Sequence, residues 1–199
     1  TVLQMLSISN AERQGDPALD DRILRAAETC VKDFAIDRVT VAEIARRARV
    51  SRPTIYRRWR DVHAIMAAMF TRRVIGILRD VTGGTPERTA IVERSVAAVA
   101  RMRHDPVIEA GLRWAPEMSL RTISERLGPG QLALIEVLAA DLKVAQADGS
   151  VRAGDCRQMA AMMMLIAQSG VQSARMVEPV LDEAALDAEL TYVFNRYLS

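Results

Sequence analysis

Residues 23–59 read ILRAAETCVKDFAIDRVTVAEIARRARVSRPTIYRRW, and this stretch decides the fold. Ile23, Ala26, Ala27, Cys30, Val31 and Phe34 recur at steps of three and four, which is one face of a helix. Thr40 is a good N-cap for a second helix, and Glu43 three residues on completes a capping box. The apolar face of that helix is Val41, Ile44, Ala45 and Ala48. After Arg49 and Val50, Ser51 caps a third, short helix with Pro53 in its first turn, where a missing N–H costs nothing. Ile55 and Trp59 lie four apart and turn inward together.

Two short helices joined by a tight turn, the second one basic, describe a helix-turn-helix. Ala45 is small enough for the pair to cross closely, and Val50 plugs the turn. At 100° per residue, inward Ile55 and Trp59 place Pro53 and Arg57 at the centre of the outward face. Thr54 and Tyr56 flank them, and Arg52 and Arg58 lie nearer the edges. That face carries hydroxyls and guanidinium forks and no acid. A major groove admits such a helix, and Arg pairs bidentately with guanine. Thr40, Thr54 and Tyr56 can donate to phosphates and fix the register.

The charge is placed to match. Arg38–Arg60 holds eight Arg against one acid, Glu43. Residues 1–80 carry 15 basic and 10 acidic side chains, and residues 81–199 carry 12 and 15. The whole chain has a net charge of only +2, which argues for no particular partner, but a local field of this density attracts polyanions. The plainer reading of the block is a solvated basic face. Arg outnumbers Lys 25 to 2, a bias that base composition can also produce.

Outward from this segment the pattern stays helical. Asp61 caps a fourth helix through Ile65, Met66, Met69, Phe70, Val74 and Leu78, and Gly83–Gly84 breaks it. Helical patterns resume over 86–103, 106–114, 117–127, 131–147, 154–177 and 182–198. Pro106, Pro116, Gly128–Pro129–Gly130, Gly149 and Pro179 punctuate them. No alternating β pattern occurs, so the expected fold is all-α with about nine helices. Residues 1–18 are polar and patternless and read as a flexible arm.

The 199 residues, half of them hydrophobic and 26% charged, describe a folded protein with a real core. The longest strongly apolar run, Met159–Ala167, is about half of the roughly 20 residues that span a bilayer. No secretion signal is read at the start, and two distant cysteines, Cys30 and Cys156, build neither a disulfide framework nor a zinc site. The expected location is a reducing cytoplasm. Gly128-x-Gly130-x-x-Ala133 resembles half a dinucleotide fingerprint but follows helix, not strand. His63 and His104 are the only histidines, and His104–Asp105 reads as a helix end before Pro106. The expectation is therefore no metal, no cofactor and no enzyme activity.

The segment resembles the DNA-binding domain of the TetR family of bacterial transcriptional regulators. The matching pieces are Ala26–Ala27, Thr40-Val41-x-x-Ile44-Ala45, Val50-Ser51, and Pro53-Thr54-Ile55-Tyr56-x-x-Trp59. The resemblance implies that the third helix reads the major groove, with DNA contacts at Thr40, Arg52, Pro53, Thr54 and Tyr56. It implies C-terminal helices that bind a small ligand and dimerise, and a fourth helix that moves on ligand binding. The chain departs from the pattern at Ala35 and Arg49, where Gly is usual, and at Val62, where a Lys is often found. A non-Gly residue in a left-handed turn costs about 1 kcal/mol. Loss of the Lys removes one phosphate contact, for which Arg57, Arg58 or Arg60 compensates.

The resulting division is an arm at 1–18, a helix-turn-helix domain at 19–64, and a ligand-binding and dimerisation domain at 65–199. From Thr71 to Thr191 the one aromatic residue is Trp114. With Arg113, Met102 and Met118 it lines either an effector pocket, Arg113 or Glu117 giving a polar handle, or plain core. The helix through Met159–Ala167 is apolar nearly all round, with Ala160, Ala161, Ala167, Gly170 and Ala174 as small residues. The last helix adds Leu186, Leu190, Val193, Phe194 and Tyr197. Two-fold pairing of these last two helices into a homodimer would bury them; a central helix in a monomer is the alternative. The expected function is a sequence-specific repressor of operator DNA, released by a small apolar or amphipathic effector. The competing reading is an all-α small-molecule-binding protein with a vestigial DNA-binding head.

Overall fold

Side-chain caps set where the helices begin. The computed structural model describes residues 16–34, 38–81, 84–114 and 127–199. Among them run ten helices and no strand: α1 Pro17–Asp33, α2 Val41–Ala48, α3 Arg52–Tyr56, α4 Val62–Val81, α5 Arg88–Arg103, α6 Pro106–Trp114, α7 Pro129–Ala147, α8 Cys156–Gln172, α9 Ala174–Val177 and α10 Glu183–Leu198. Asp16 accepts from the Ala18 N–H at 3.0 Å, and Pro17 occupies the first turn, so α1 starts ahead of the expected residue 19. Asp61 accepts from Ala64 N–H at 2.8 Å and opens α4, as its position before the apolar run implied. The backbone N–H of Ala64 is also the main reason the Asp61 carboxyl titrates below its ordinary range. Asp155 and Asp182 cap α8 and α10 in the same way. Such a cap contributes on the order of 1 kcal/mol.

One expectation shifts: the run 154–177 divides at Ser173 into α8 and α9. The helix expected at 117–127 falls almost entirely outside the described residues, as do the arm at 1–15 and Ala35.

The chain forms two compact units. Among the described residues, the first takes those up to Val74 together with Asp105–Trp114 and Leu127, and the second takes those of Ile75–His104 and Gly128–Ser199. The core of the first unit joins α1, α2, α3, α4 and α6 through Ile23, Ala27, Cys30, Ile44, Ile55, Ile65, Met69 and Val107. Each large aliphatic side chain buried there stabilises by roughly 1.5–3 kcal/mol. Burial also pushes the Cys30 thiol above its usual range, so Cys30 acts as a small apolar residue. Helices α4 and α6 meet at Gly111, where a Cβ would fall 2.5 Å from the Phe70 ring. Asp105 caps α6 by accepting from Val107 and Ile108 N–H at 3.0 and 3.1 Å. Its carboxylate, 3% exposed, also receives Arg73 of α4 at 2.5 Å. His104–Asp105 is thus a helix end followed by a new cap.

In the second unit α8 lies against α5, α7 and α10 over Val99, Leu142, Met159, Met163, Leu190 and Phe194. Gly170 lets Leu190 and Val99 approach: a Cβ there would stand 3.2 and 3.5 Å from them. Ala160 and Gly170 are therefore consumed in packing within the chain. The large apolar residues α8 leaves outside are Met162 and Leu165. No helix among the described residues is long and apolar enough to cross a membrane.

Candidate nucleic-acid interface

Three local features hold α3 in place. Arg49 ends α2 in the left-handed conformation at φ 53°, ψ 49°, so the turn carries the expected strain of about 1 kcal/mol. The Val50 N–H bonds back to the Ala45 carbonyl at 3.0 Å, and Val50 packs on the core. Ser51 Oγ accepts from the Thr54 N–H at 3.3 Å and shares a 2.8 Å bond with the Thr54 hydroxyl. Ile55 is fully buried and Trp59 nearly so. Behind this anchor Arg52, Pro53, Tyr56 and Arg57 face outward, Tyr56 at 53% exposure. Thr54 is half-buried between the cap and that surface, and Thr40 is exposed at the start of α2.

Half of the eight arginines are spoken for. Arg46 reaches Glu43 at 2.6 and 2.8 Å; Arg47 bridges Glu43 at 2.7 Å and Asp33 at 2.5 Å. Hydrogen bonds from these two guanidinium groups hold the Glu43 carboxyl down to about 2. Glu43 is thus a strut for Arg46 and Arg47 and does not fold back on Thr40, whose hydroxyl still accepts the Glu43 N–H at 3.2 Å. Phe34, expected inside, is exposed and lies under Arg47, 5.0 Å from its guanidinium. Arg60 pairs with Asp61 at 3.0 Å.

Arg58 is a correction. It was expected at the edge of the outward face, but its side chain is 17% exposed and paired with Asp20 of α1. The helix closes at Tyr56, and the Arg58 N–H bonds to the Ile55 carbonyl at 2.8 Å, a tighter i−3 turn. The 100° rule stops applying there, and the side chain swings toward α1. Arg38, Arg49, Arg52 and Arg57 are left exposed without an acid partner among the described residues. Asp20 and Asp33 lie 38 and 14 residues from their partners, and no local spacing announces such pairs.

Of the expected effector residues, Met102 alone has a described side chain. Met102 is half-buried in α5 of the second unit. The side chains of Arg113 and Trp114, together with Glu117 and Met118, lie outside the described residues. Val62 opens α4, followed by exposed His63. Among the described residues no group of three His, Cys, Asp or Glu could hold a metal ion.

A capped short helix that presents free guanidinium groups, backed by α1 and α2, defines a helix-turn-helix DNA-binding head. The profile of bacterial regulatory proteins of the tetR family matches residues 23–69. The HTH-type transcriptional regulator Rv2250c of Mycobacterium tuberculosis is 51% identical over 196 residues, 98% of this chain and 100% of that protein. Mb2274c of Mycobacterium bovis, also called an HTH-type transcriptional regulator, has the same identity and coverage. The fold is similar to the TetR-family repressor QsdR of R. erythropolis, with TM-score 0.69 and 12% identity over 92% of this chain and 96% of that one. It is also similar to the regulator FadR of Bacillus subtilis in complex with stearoyl-CoA, with TM-score 0.62 and 16% identity over 89% and 98%. The chain belongs to the TetR family and is a DNA-binding transcriptional regulator of that type.

Proposed function

We propose that this regulator is a homodimeric repressor that leaves its operator when a small apolar or amphipathic effector binds. The observation that carries the reading is the acid-free exposed face of Arg52, Pro53, Tyr56 and Arg57, anchored from behind by Ile55 and Trp59. Arg52 and Arg57 are the candidates for base edges, and Thr40, Thr54 and Tyr56 for phosphates. Dimerisation uses α8 and α10. Leu165 is 54% exposed and Tyr192 59%, with Met162 and Val193 beside them in their helices, a set that a second copy would take out of water. Two heads on a two-fold axis read a roughly palindromic site.

Release follows from linkage. An effector that binds better to the conformation whose heads no longer fit successive major grooves shifts the population toward it. Support for an effector of this kind comes from proteins of similar fold, one solved with stearoyl-CoA and another, RolR, with resorcinol. Repression is supported by the name of QsdR. The test is a purified transcription reaction on the region upstream of the chain's own gene. Transcription falls as protein is added and recovers with a member of a panel of acyl-CoA thioesters, fatty acids and phenols. Transcription that rises with protein contradicts repression, and recovery with no member of the panel contradicts an effector of this class.

A further inference from the structure

A second basic surface shares no residue with the face of α3. At 100° per residue Arg22, Arg25, Ala26 and Thr29 share one side of α1. Arg46 and Arg47 of α2 stand opposite, and the six residues line a groove of about 480 Å³. Every charged group in that lining is a guanidinium. The acids that touch these arginines, Asp21, Asp33 and Glu43, are outside the lining.

The acids fix three of the four forks without using them up. Glu43 takes Nε and Nη2 of Arg46 and Nε of Arg47, Asp33 takes Nη1 of Arg47, and Asp21 takes Nη1 of Arg25. A guanidinium carries five N–H donors. Nη1 of Arg46, Nη2 of Arg47, Nε and Nη2 of Arg25 and the whole of Arg22 have no partner among the described residues. Forks already held in place lose little freedom when they bind an anion, and Arg forks match phosphate oxygens.

We infer that the groove between α1 and α2 is a binding site for a phosphate group, separate from the base-reading face. The phosphate comes either from a free phosphate compound or from a phosphodiester of the bound duplex. The site requires neither an operator nor an effector, so its failure leaves the repressor reading untouched.

The experiment uses the full chain, the double variant Arg22→Gln/Arg25→Gln, and the control Arg101→Gln/Arg157→Gln, which removes equal charge from exposed positions of α5 and α8. Inorganic phosphate and pyrophosphate are titrated without DNA by calorimetry. Binding to a random 30-base-pair duplex is then measured against salt. Saturable phosphate binding that falls at least 10-fold in the groove variant and persists in the control assigns the site to free anions. Without such binding, a salt slope reduced by about 1–2 in the groove variant beyond the control's change assigns it to backbone phosphates, each contact being worth about 0.9 in slope. Phosphate binding that survives the groove variant, or a groove variant indistinguishable from the control in both measurements, overturns the proposal. If the double variant melts early, Arg46→Gln, on α2 and exposed, repeats the comparison.

Discussion

The surface of α3 and the outer faces of α8 and α10 are built on opposite plans. Ile55 and Trp59 of the α3 segment are turned inside, and what remains outside is Pro53 with hydroxyl and guanidinium groups. On α8 and α10 the inside is also apolar, yet Met162, Leu165, Tyr192 and Val193 stay in solvent. A surface of the first kind needs a polyanion to complete it, and one of the second needs another apolar surface. The difference teaches that exposure of the wrong polarity is as informative as burial. In α8 it separates the helix's internal face, with Gly170 against Leu190, from the apolar face left in solvent.

This contrast breaks most visibly at the anchors. Ile55→Ala costs about 2–5 kcal/mol in urea unfolding, because it opens a cavity under α3. Leu165→Ala, equally apolar but outside, changes the unfolding of an isolated chain by about 0.5 kcal/mol or less. In the proposed dimer, Leu165→Glu with Tyr192→Glu acts instead on assembly and shifts the mass seen by light scattering from dimer to monomer. Equal losses of stability at Ile55 and Leu165 would erase the distinction.

Within the head the arginines divide next. Arg57→Ala weakens operator binding by about 1–3 kcal/mol while random DNA is less affected. Arg58→Ala lowers stability by about 1 kcal/mol through the lost Asp20 pair and leaves discrimination between sequences intact. Arg49→Gly relieves the left-handed turn and stabilises by up to about 1 kcal/mol, read as a higher melting temperature. The smallest effect is acid sensitivity. The Glu43 carboxyl titrates near 2 in the folded chain against an ordinary value of 4.5, so its contribution is complete above about pH 4.5. It is lost as pH falls through about 2. In Glu43→Gln, acid unfolding over that window flattens.

The helical periods and caps of residues 23–59 were legible because each is local. Thr40, Ser51 and Asp61 do their work within three residues, and Ile55 fixes the inward side of α3 by spacing alone. The pairing of Arg58 with Asp20 and of Arg47 with Asp33 was not legible, because it depends on how α1 crosses the later elements. The basic block therefore read as eight Arg against one acid, where four of the Arg are paired. The break at Ser173 was hidden because the apolar pattern continues through it into Ala174. An effector site built from Met102, Arg113, Trp114 and Met118 rests on the family resemblance, since no spacing brings side chains of separate helices to one place.

The central claim is that the outward face of α3 reads base edges. The direct measurement is the ratio of affinities for the upstream region and for random duplex at fixed salt, taken for the wild type and for Arg52→Ala/Arg57→Ala. The account predicts a ratio of about 10³ or more that collapses in the variant while random-duplex binding survives. A wild-type ratio near one, or a variant that keeps the full ratio, would contradict it.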